Sequence, residues 1–182
     1  MSEFSVFKTK RFLIYLVIFI LCTSLLFMES YIILDYYNAE NKLNVELIVI
    51  DVTMFYNGTM FNKSIVIFVF SIHNPSEIQT LSIYGFNYYI YLNGQKLSSI
   101  GKRKSVKIPI SPAKAYNLTL RFDITFHKDL NTLTQAFYGN SWSWYIYLYL
   151  RMKMWGKYLF LDFHFTSLNE TNITVINSTV GV

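Results

Sequence analysis

Residues 64 to 101 read SIVIFVFSIHNPSEIQTLSIYGFNYYIYLNGQKLSSIG, and the punctuation inside this run decides the fold. Ser64 to Ile72 is apolar at nearly every position and rich in Val, Ile and Phe, so it reads as a strand buried on both faces. His73-Asn74-Pro75 ends it, because Pro75 has no N–H to give to a sheet ladder. Thr80 to Leu92 is the next strand. Asn93-Gly94 then supplies the positive φ angles of a two-residue hairpin turn into Gln95 to Ser99. A β-branched residue at position 94 is strained there, so Gly94→Val should destabilise the domain, whereas Asn93→Gly should be nearly neutral.

The same period of two extends in both directions. Upstream, Leu43 to Phe55 alternates and then turns apolar, and Asn57-Gly58 breaks it. Downstream, Lys102 to Ile110 is a basic strand bounded by Ser111-Pro112. Leu118, Leu120, Phe122, Ile124 and Phe126 then alternate with Thr119, Arg121, Asp123 and Thr125, which marks one buried and one wet face. Asp129 to Tyr138 has helical spacing, with Leu130, Leu133 and Phe137 on one side and Gly139 as its stop. It is expected to bridge two sheet edges. Ser141 to Met154 and Lys157 to Thr166 are further strands joined at Trp155-Gly156. The expected class is mainly β: an antiparallel β-sandwich of about seven strands with one short helix over 43–168. The polar stretch 169–182 reads as a flexible tail carrying glycans.

Phe12 to Leu34, FLIYLVIFILCTSLLFMESYIIL, has a different solvent. Its first 17 residues carry no charge, and 12 of them are Leu, Ile, Val or Phe. At about 1.5 Å per residue the whole stretch reaches about 34 Å, enough for a hydrocarbon core of about 30 Å. Lys8, Lys10 and Arg11 precede it, so the positive-inside rule puts 1–11 in the cytoplasm and the long C-terminal part outside. A cleaved signal peptide is the competing reading, but the apolar run is longer than a typical h-region and no A-x-A pattern follows it. It reads as an uncleaved single-pass anchor over 12–34, followed by a polar spacer over 35–42.

Composition agrees with an exported domain. Cys22 is the only cysteine and lies in the anchor, so stability must come from packing rather than disulfides. Six N-x-S/T triplets occur, at Asn57, Asn62, Asn117, Asn169, Asn172 and Asn177, where about two are expected by chance. All follow the anchor. Many acceptor triplets without exported cysteines suit an archaeal cell surface.

Chemistry is sparse. His73, His127 and His164 are far apart and have no His-x-x-x-His spacing, so local hydrogen bonding outweighs a three-histidine metal site. Asp123 and Asp162 lie on alternating strands and read as solvated carboxylates rather than a catalytic pair. No P-loop and no G-x-S-x-G is present, so no enzyme, cofactor or metal is expected. Nucleic acid is excluded by the modest exported charge and the compartment. Two clusters could make contacts. Lys102, Arg103 and Lys104, with Lys96 and Lys107, form a basic segment that suits anionic headgroups or acidic glycans, although charged strand edges also prevent aggregation. Trp142, Trp144, Tyr145, Tyr147 and Tyr149 form an aromatic stripe of two opposite parities, one of which should face outward.

The run from Phe68 to Gly101 resembles the signature of the LEA14-like family, also called the water-stress and hypersensitive-response (WHy) domain. The resemblance rests on an apolar strand ending in Asn74-Pro75, an aromatic pair Tyr88-Tyr89, the turn Asn93-Gly94 and a closing Gly101. Ile108-Pro109-Ile110 and the alternating strand after it extend the similarity to about residues 45 to 166. It implies an immunoglobulin-like or fibronectin-III-like sandwich tied to stress tolerance, without catalytic residues. The expected function is therefore a non-enzymatic, membrane-anchored binding or structural module of the cell envelope, with the bilayer and envelope proteins or glycans as partners. The alternative is a secreted, glycosylated surface-filament subunit that assembles by strand exchange.

Overall fold

The computed structural model describes residues 3–97, 104–168 and 170–177. The chain divides into two compact units, Met1–Asn41 and Lys42–Val182. The first is a single helix, α1 (Glu3–Lys42). From Phe12 to Leu34 its apolar side chains stand largely exposed all round, Phe27 at 77%, so no face of that stretch is reserved for a protein core. It is long and apolar enough to span a membrane. Three of its hydroxyls are satisfied within the helix: Thr23 donates to the carbonyl of Phe19 at 2.9 Å, Ser24 to Ile20 at 2.7 Å and Ser30 to Leu26 at 2.8 Å. That is the condition for placing them in lipid. The expected spacer over 35–42 is helical too, because DYYNAENK contains no Gly or Pro to stop α1.

The second unit is a β-sandwich. Its described strands are β1 (Asn44–Tyr56), β2 (Phe61–His73), β3 (Leu81–Leu92), β4 (Gln95–Lys96), β5 (Lys104–Ile110), β6 (Ala115–Ile124), β7 (Ser143–Met154), β8 (Lys157–Leu168) and β9 (Asn172–Asn177). One sheet runs β6-β2-β1-β9. The other runs β4-β3-β7-β8, with β5 also paired to β3. The inner faces meet through aromatic rings: Phe68 of β2 against Trp144 of β7 at 5.2 Å, Tyr88 of β3 against Phe122 of β6 at 5.2 Å, and Phe70 of β2 against Phe165 of β8 at 5.2 Å. α2 (His127–Tyr138) packs against β2 and β3, one strand from each sheet. It buries Leu130, Leu133 and Ala136.

Two bulges reset the alternation. In β1 the register with β2 shifts between Leu47 and Val49. Ile48 is left 52% exposed, so the buried set passes from Val45 to Ile50, Val52 and Met54. In β3 the shift lies between Ile83 and Gly85, and burial passes from Leu81 and Ile83 to Phe86, Tyr88, Ile90 and Leu92. Each bulge moves an apolar run from one parity to the other without exposing it.

Two expectations need correction. Residues 172–177, expected in a flexible tail, form β9, which pairs in parallel with β1 from Asp51↔Asn172 to Tyr56↔Asn177. The segment NITVIN has strand-forming Ile, Thr and Val, and Asn172 Nδ2 donates to Asp51 Oδ1 at 2.9 Å. The sandwich is thus antiparallel except at this edge. α2 does stop at Gly139, its C-cap residue, with φ of −78°, and Asn140 beyond it takes a positive φ of 46°. The second correction concerns Asn93. The turn itself has the expected geometry, with φ of 49° at Asn93 and 77° at Gly94. Asn93, however, is not a passive turn residue: its Nδ2 donates to Ser141 O at 2.8 Å, and its Oδ1 accepts from Ser143 N at 2.9 Å.

The connections between the sheets converge on Asn74, which is fully buried. Its Nδ2 donates to the carbonyls of Gln79 at 2.9 Å, Ile110 at 2.9 Å and Ser111 at 3.2 Å. Its Oδ1 accepts from Ser76 N at 3.1 Å, and its own N–H donates to Lys114 O at 2.9 Å. Ser76 Oγ then accepts from the N–H groups of Ile78 and Gln79, at 3.3 and 2.9 Å.

Four outcomes are expected in chemical denaturation of the unit from Lys42 to Val182. Gly94→Val should cost about 1–3 kcal/mol through backbone strain alone, because a Cβ at that position meets nothing within 4 Å. Asn93→Gly should cost about 1–2 kcal/mol through its two lost hydrogen bonds; an unchanged midpoint for either variant contradicts this account of the turn. Asn74→Ala should cost about 2–4 kcal/mol, and Asn74→Asp more at neutral pH, since a carboxylate would face three carbonyl oxygens. A stability order with Asp above Ala would contradict the assigned donor role.

Candidate functional site

β7 separates its two parities cleanly. Trp144, Ile146, Leu148, Leu150, Met152 and Met154 are buried, while Tyr145, Tyr147, Tyr149, Arg151 and Lys153 alternate on the outer face. Strand register then assembles rows across β3, β7 and β8. They are Tyr91–Tyr145–Thr166, Tyr89–Tyr147–His164, Asn87–Tyr149–Asp162, Gly85–Arg151–Phe160 and Ser82–Lys153–Tyr158. The result is an aromatic outer face.

The rings on this face interlock. Tyr145 and Tyr147 are 4.7 Å apart between centroids, and Tyr147 and His164 are 4.5 Å apart, both edge to face. Tyr91 lies 6.1 Å from Tyr147, and Tyr89 lies 6.0 Å from Tyr149. Lys96 Nζ sits 4.4 Å from the centre of the Tyr89 ring, and Lys153 Nζ 5.3 Å from that of Tyr158, both cation–π contacts. Tyr145 Oη and His164 Nδ1 are 3.5 Å apart, at the outer limit of a hydrogen bond. The Tyr147 hydroxyl is pushed up to about 12, chiefly by its hydrogen bond with Tyr145, then by desolvation and the neighbouring phenols. The protonated form donates that bond, so this face stays uncharged at Tyr147 well into the alkaline range.

Beside the tyrosines the face dips. A depression of about 240 Å³ is lined by Gly85, Asn87, Tyr149, Arg151, Phe160 and Asp162, among others. Gly85 sits at the β3 bulge and adds no side chain to this lining, although its own backbone is buried.

The residues singled out from sequence fall differently. Trp142 and Trp144, expected to be available for surface binding, are buried at 3% and 0% exposure. The reason is size. The indoles fill the inner parity, where Trp144 packs on Phe68 and its Nε1 donates to Thr171 Oγ1 at 2.9 Å. Tyr145, Tyr147 and Tyr149 are the outward set. Lys102 and Arg103 lie outside the described residues, and Lys104 opens β5, its backbone paired with Phe86. Asn57, Asn62, Asn117, Asn172 and Asn177 are all exposed, and Asn169 lies outside the described residues. Asn57 Oδ1 accepts from Thr59 N, Thr59 Oγ1 and Met60 N, at 3.1, 2.9 and 2.9 Å. Asp123 pairs with Lys63 at 3.5 Å on the outer face of the first sheet, whereas Asp162 lies on that of the second, so the two do not meet. Among the described residues no three His, Cys, Asp or Glu side chains gather as metal ligands. Tyr89, Tyr91, Phe160 and His164 were not singled out for this face. Their signal was the alternation in YYIYL and FLDFHF, once aligned to β7.

No protein-family model matches the chain, and no curated protein sequence matches it. Among solved structures it is similar to a protein from Archaeoglobus fulgidus at 14% identity and a TM-score of 0.44, covering 68% of this chain and 95% of that one. It is also similar to a structural-genomics target, SoR45, at 14% identity and a TM-score of 0.46, covering 72% and 88%.

Tyrosinate absorbance should show one phenol titrating near pH 12, and Tyr145→Phe should bring it back toward 10. A Tyr147 that titrates with the other phenols in the unsubstituted protein contradicts the hydrogen bond.

Proposed function

We propose that the chain is a non-enzymatic, single-pass membrane protein whose β-sandwich stands outside the cell and binds envelope components through the outer face of the β3-β7-β8 layer. The observation that carries the reading is the combination of an apolar helix long enough to span a membrane with an aromatic sheet face on which Tyr89, Tyr158 and Phe160 stand exposed and Tyr145, Tyr147 and Tyr149 half-buried. Soluble proteins rarely leave so much aromatic surface uncovered unless it meets something. Lys8, Lys10 and Arg11 before the helix favour a cytoplasmic N-terminal segment. The exposed acceptor asparagines, Asn57, Asn62, Asn117, Asn172 and Asn177, support glycosylation on the external side. The LEA14-like resemblance adds an expectation of stress tolerance, in which the domain contributes binding or mechanical structure rather than catalysis.

A second reading, a filament subunit assembled by strand exchange, is favoured by one observation. β9 adds to the edge of β1 through one row of pairing, and all six of its residues are exposed. A neighbour could supply such a strand.

Protease added to intact cells should leave only a fragment containing α1. Survival of the full chain would overturn the orientation. N-terminal sequencing separates the two readings: a start at Met1 or Ser2 supports the anchored module, and a start near Leu25 or Tyr31 supports the filament.

A further inference from the structure

We propose that the depression beside the tyrosine rows is a subsite for one neutral sugar ring. The proposal rests on the binding-module reading and names the ligand class of that face. The lining residues form a two-by-three patch by register, Asn87–Tyr149–Asp162 over Gly85–Arg151–Phe160. Aromatic and charged groups therefore alternate diagonally: Tyr149 and Phe160 on one diagonal, Asp162 and Arg151 on the other. Phe160 is 73% exposed, although a phenyl ring on a strand has every reason to be covered. Asn87 and Asp162 make no side-chain hydrogen bond or ion pair among the described residues. Arg151 is partly held, with Nη2 donating to Tyr84 O at 3.3 Å.

These groups match a pyranose ring on every count. Its C–H bonds carry slight positive charge and are drawn to the electron-rich face of an aromatic ring. Its vicinal hydroxyls both donate and accept, as a carboxylate, an amide and a guanidinium together require. The depression, at about 240 Å³, is smaller than the sites that hold drug-sized ligands, and suits a single ring. Other classes fit less well. A phosphate or anionic headgroup would meet the Asp162 carboxylate as well as the one guanidinium. An extended peptide would pair with the backbone edge of β8, free among the described residues, whereas the depression is lined by side chains on the face of the β3-β7-β8 layer. Arg151 and Asp162 cancel formally, which leaves a site for a ligand without charge.

The test is saturation-transfer NMR on the full chain in lipid nanodiscs, which avoids detergents that carry sugar heads. The probes are methyl glycosides of glucose, mannose, galactose and N-acetylglucosamine. Saturating the aromatic protons should pass magnetisation to the ring C–H protons of at least one glycoside, with a millimolar dissociation constant. Phe160→Ala removes an exposed ring rather than a core side chain and should weaken binding about tenfold or more. Asp162→Asn should weaken it several-fold. Tyr138→Ala, which removes an exposed ring on α2 rather than on this face, should leave it unchanged. No transfer to any of the four glycosides overturns the proposal, and so does equal transfer in the Phe160→Ala and Asp162→Asn variants. Failure of the titration with the domain still open to external protease removes the sugar subsite alone. Protection of the domain from external protease removes the module reading, whatever the titration shows.

Discussion

A single buried amide holds the two sheets in their relation. The chain passes from the first sheet to the second after β2 and returns after β5, and Asn74 grips both passages. It bonds Gln79 on the way out and Ile110, Ser111 and Lys114 on the way back. These carbonyls and N–H groups lie where the sheet ladders have ended, so the backbone cannot satisfy itself there. A hydrophobic residue at this position would fill the space and leave the polar groups orphaned. Pro75 guarantees that β2 stops at this point. Ala113, with φ of 51°, is held in an uncomfortable conformation by the bond its N–H gives to Ser76 O at 2.8 Å. The order of strands follows from this knot as much as from the apolar pattern.

Much of this arrangement was legible in the residues. The Asn93-Gly94 and Trp155-Gly156 turns, the stop at Asn74-Pro75, the alternation of β6 and the lipid-like run from Phe12 all encode local physics, and local physics is what a sequence displays. Ser76 was legible only in part: its position after Pro75 marks a turn, but its hydroxyl's duty to two N–H groups depends on how the turn closes. The bulges at Ile48 and at Tyr84-Gly85 were not legible. One extra residue inverts the facing of everything beyond it, and its presence is decided by the partner strand rather than by the bulged one. β9 was hidden for the same reason: its six residues acquire a fold only from β1.

The candidate site shows the same division. The aromatic stripe of β7 was visible, and so were its two parities, but which one faces the core depends on the opposing sheet. Trp144 went inward because Phe68 waits there. The bulge in β3 then decides which of its aromatics join the tyrosines of β7: Tyr89 and Tyr91 face out, and Tyr88 faces in against Phe122. The depression is a by-product of the same irregularity, since Gly85 is placed opposite Arg151 by the shifted register. Core packing and surface chemistry on this sheet are thus two readings of one extra residue.

The parallel pairing of β1 with β9 has a consequence in time. β1 follows α1 directly and is the first strand to leave the synthesis machinery, whereas its partner lies 121 residues further along at the Asp51–Asn172 contact. Hairpins such as β1–β2 and β7–β8 can close as soon as their turns emerge. The last row of the first sheet waits for every described strand between β1 and β9, and closing so long a loop is entropically costly. Through that interval the edge of β1 over Asp51–Tyr56 is an open template. An edge left open in this way can pair with a strand of another molecule before its own partner arrives.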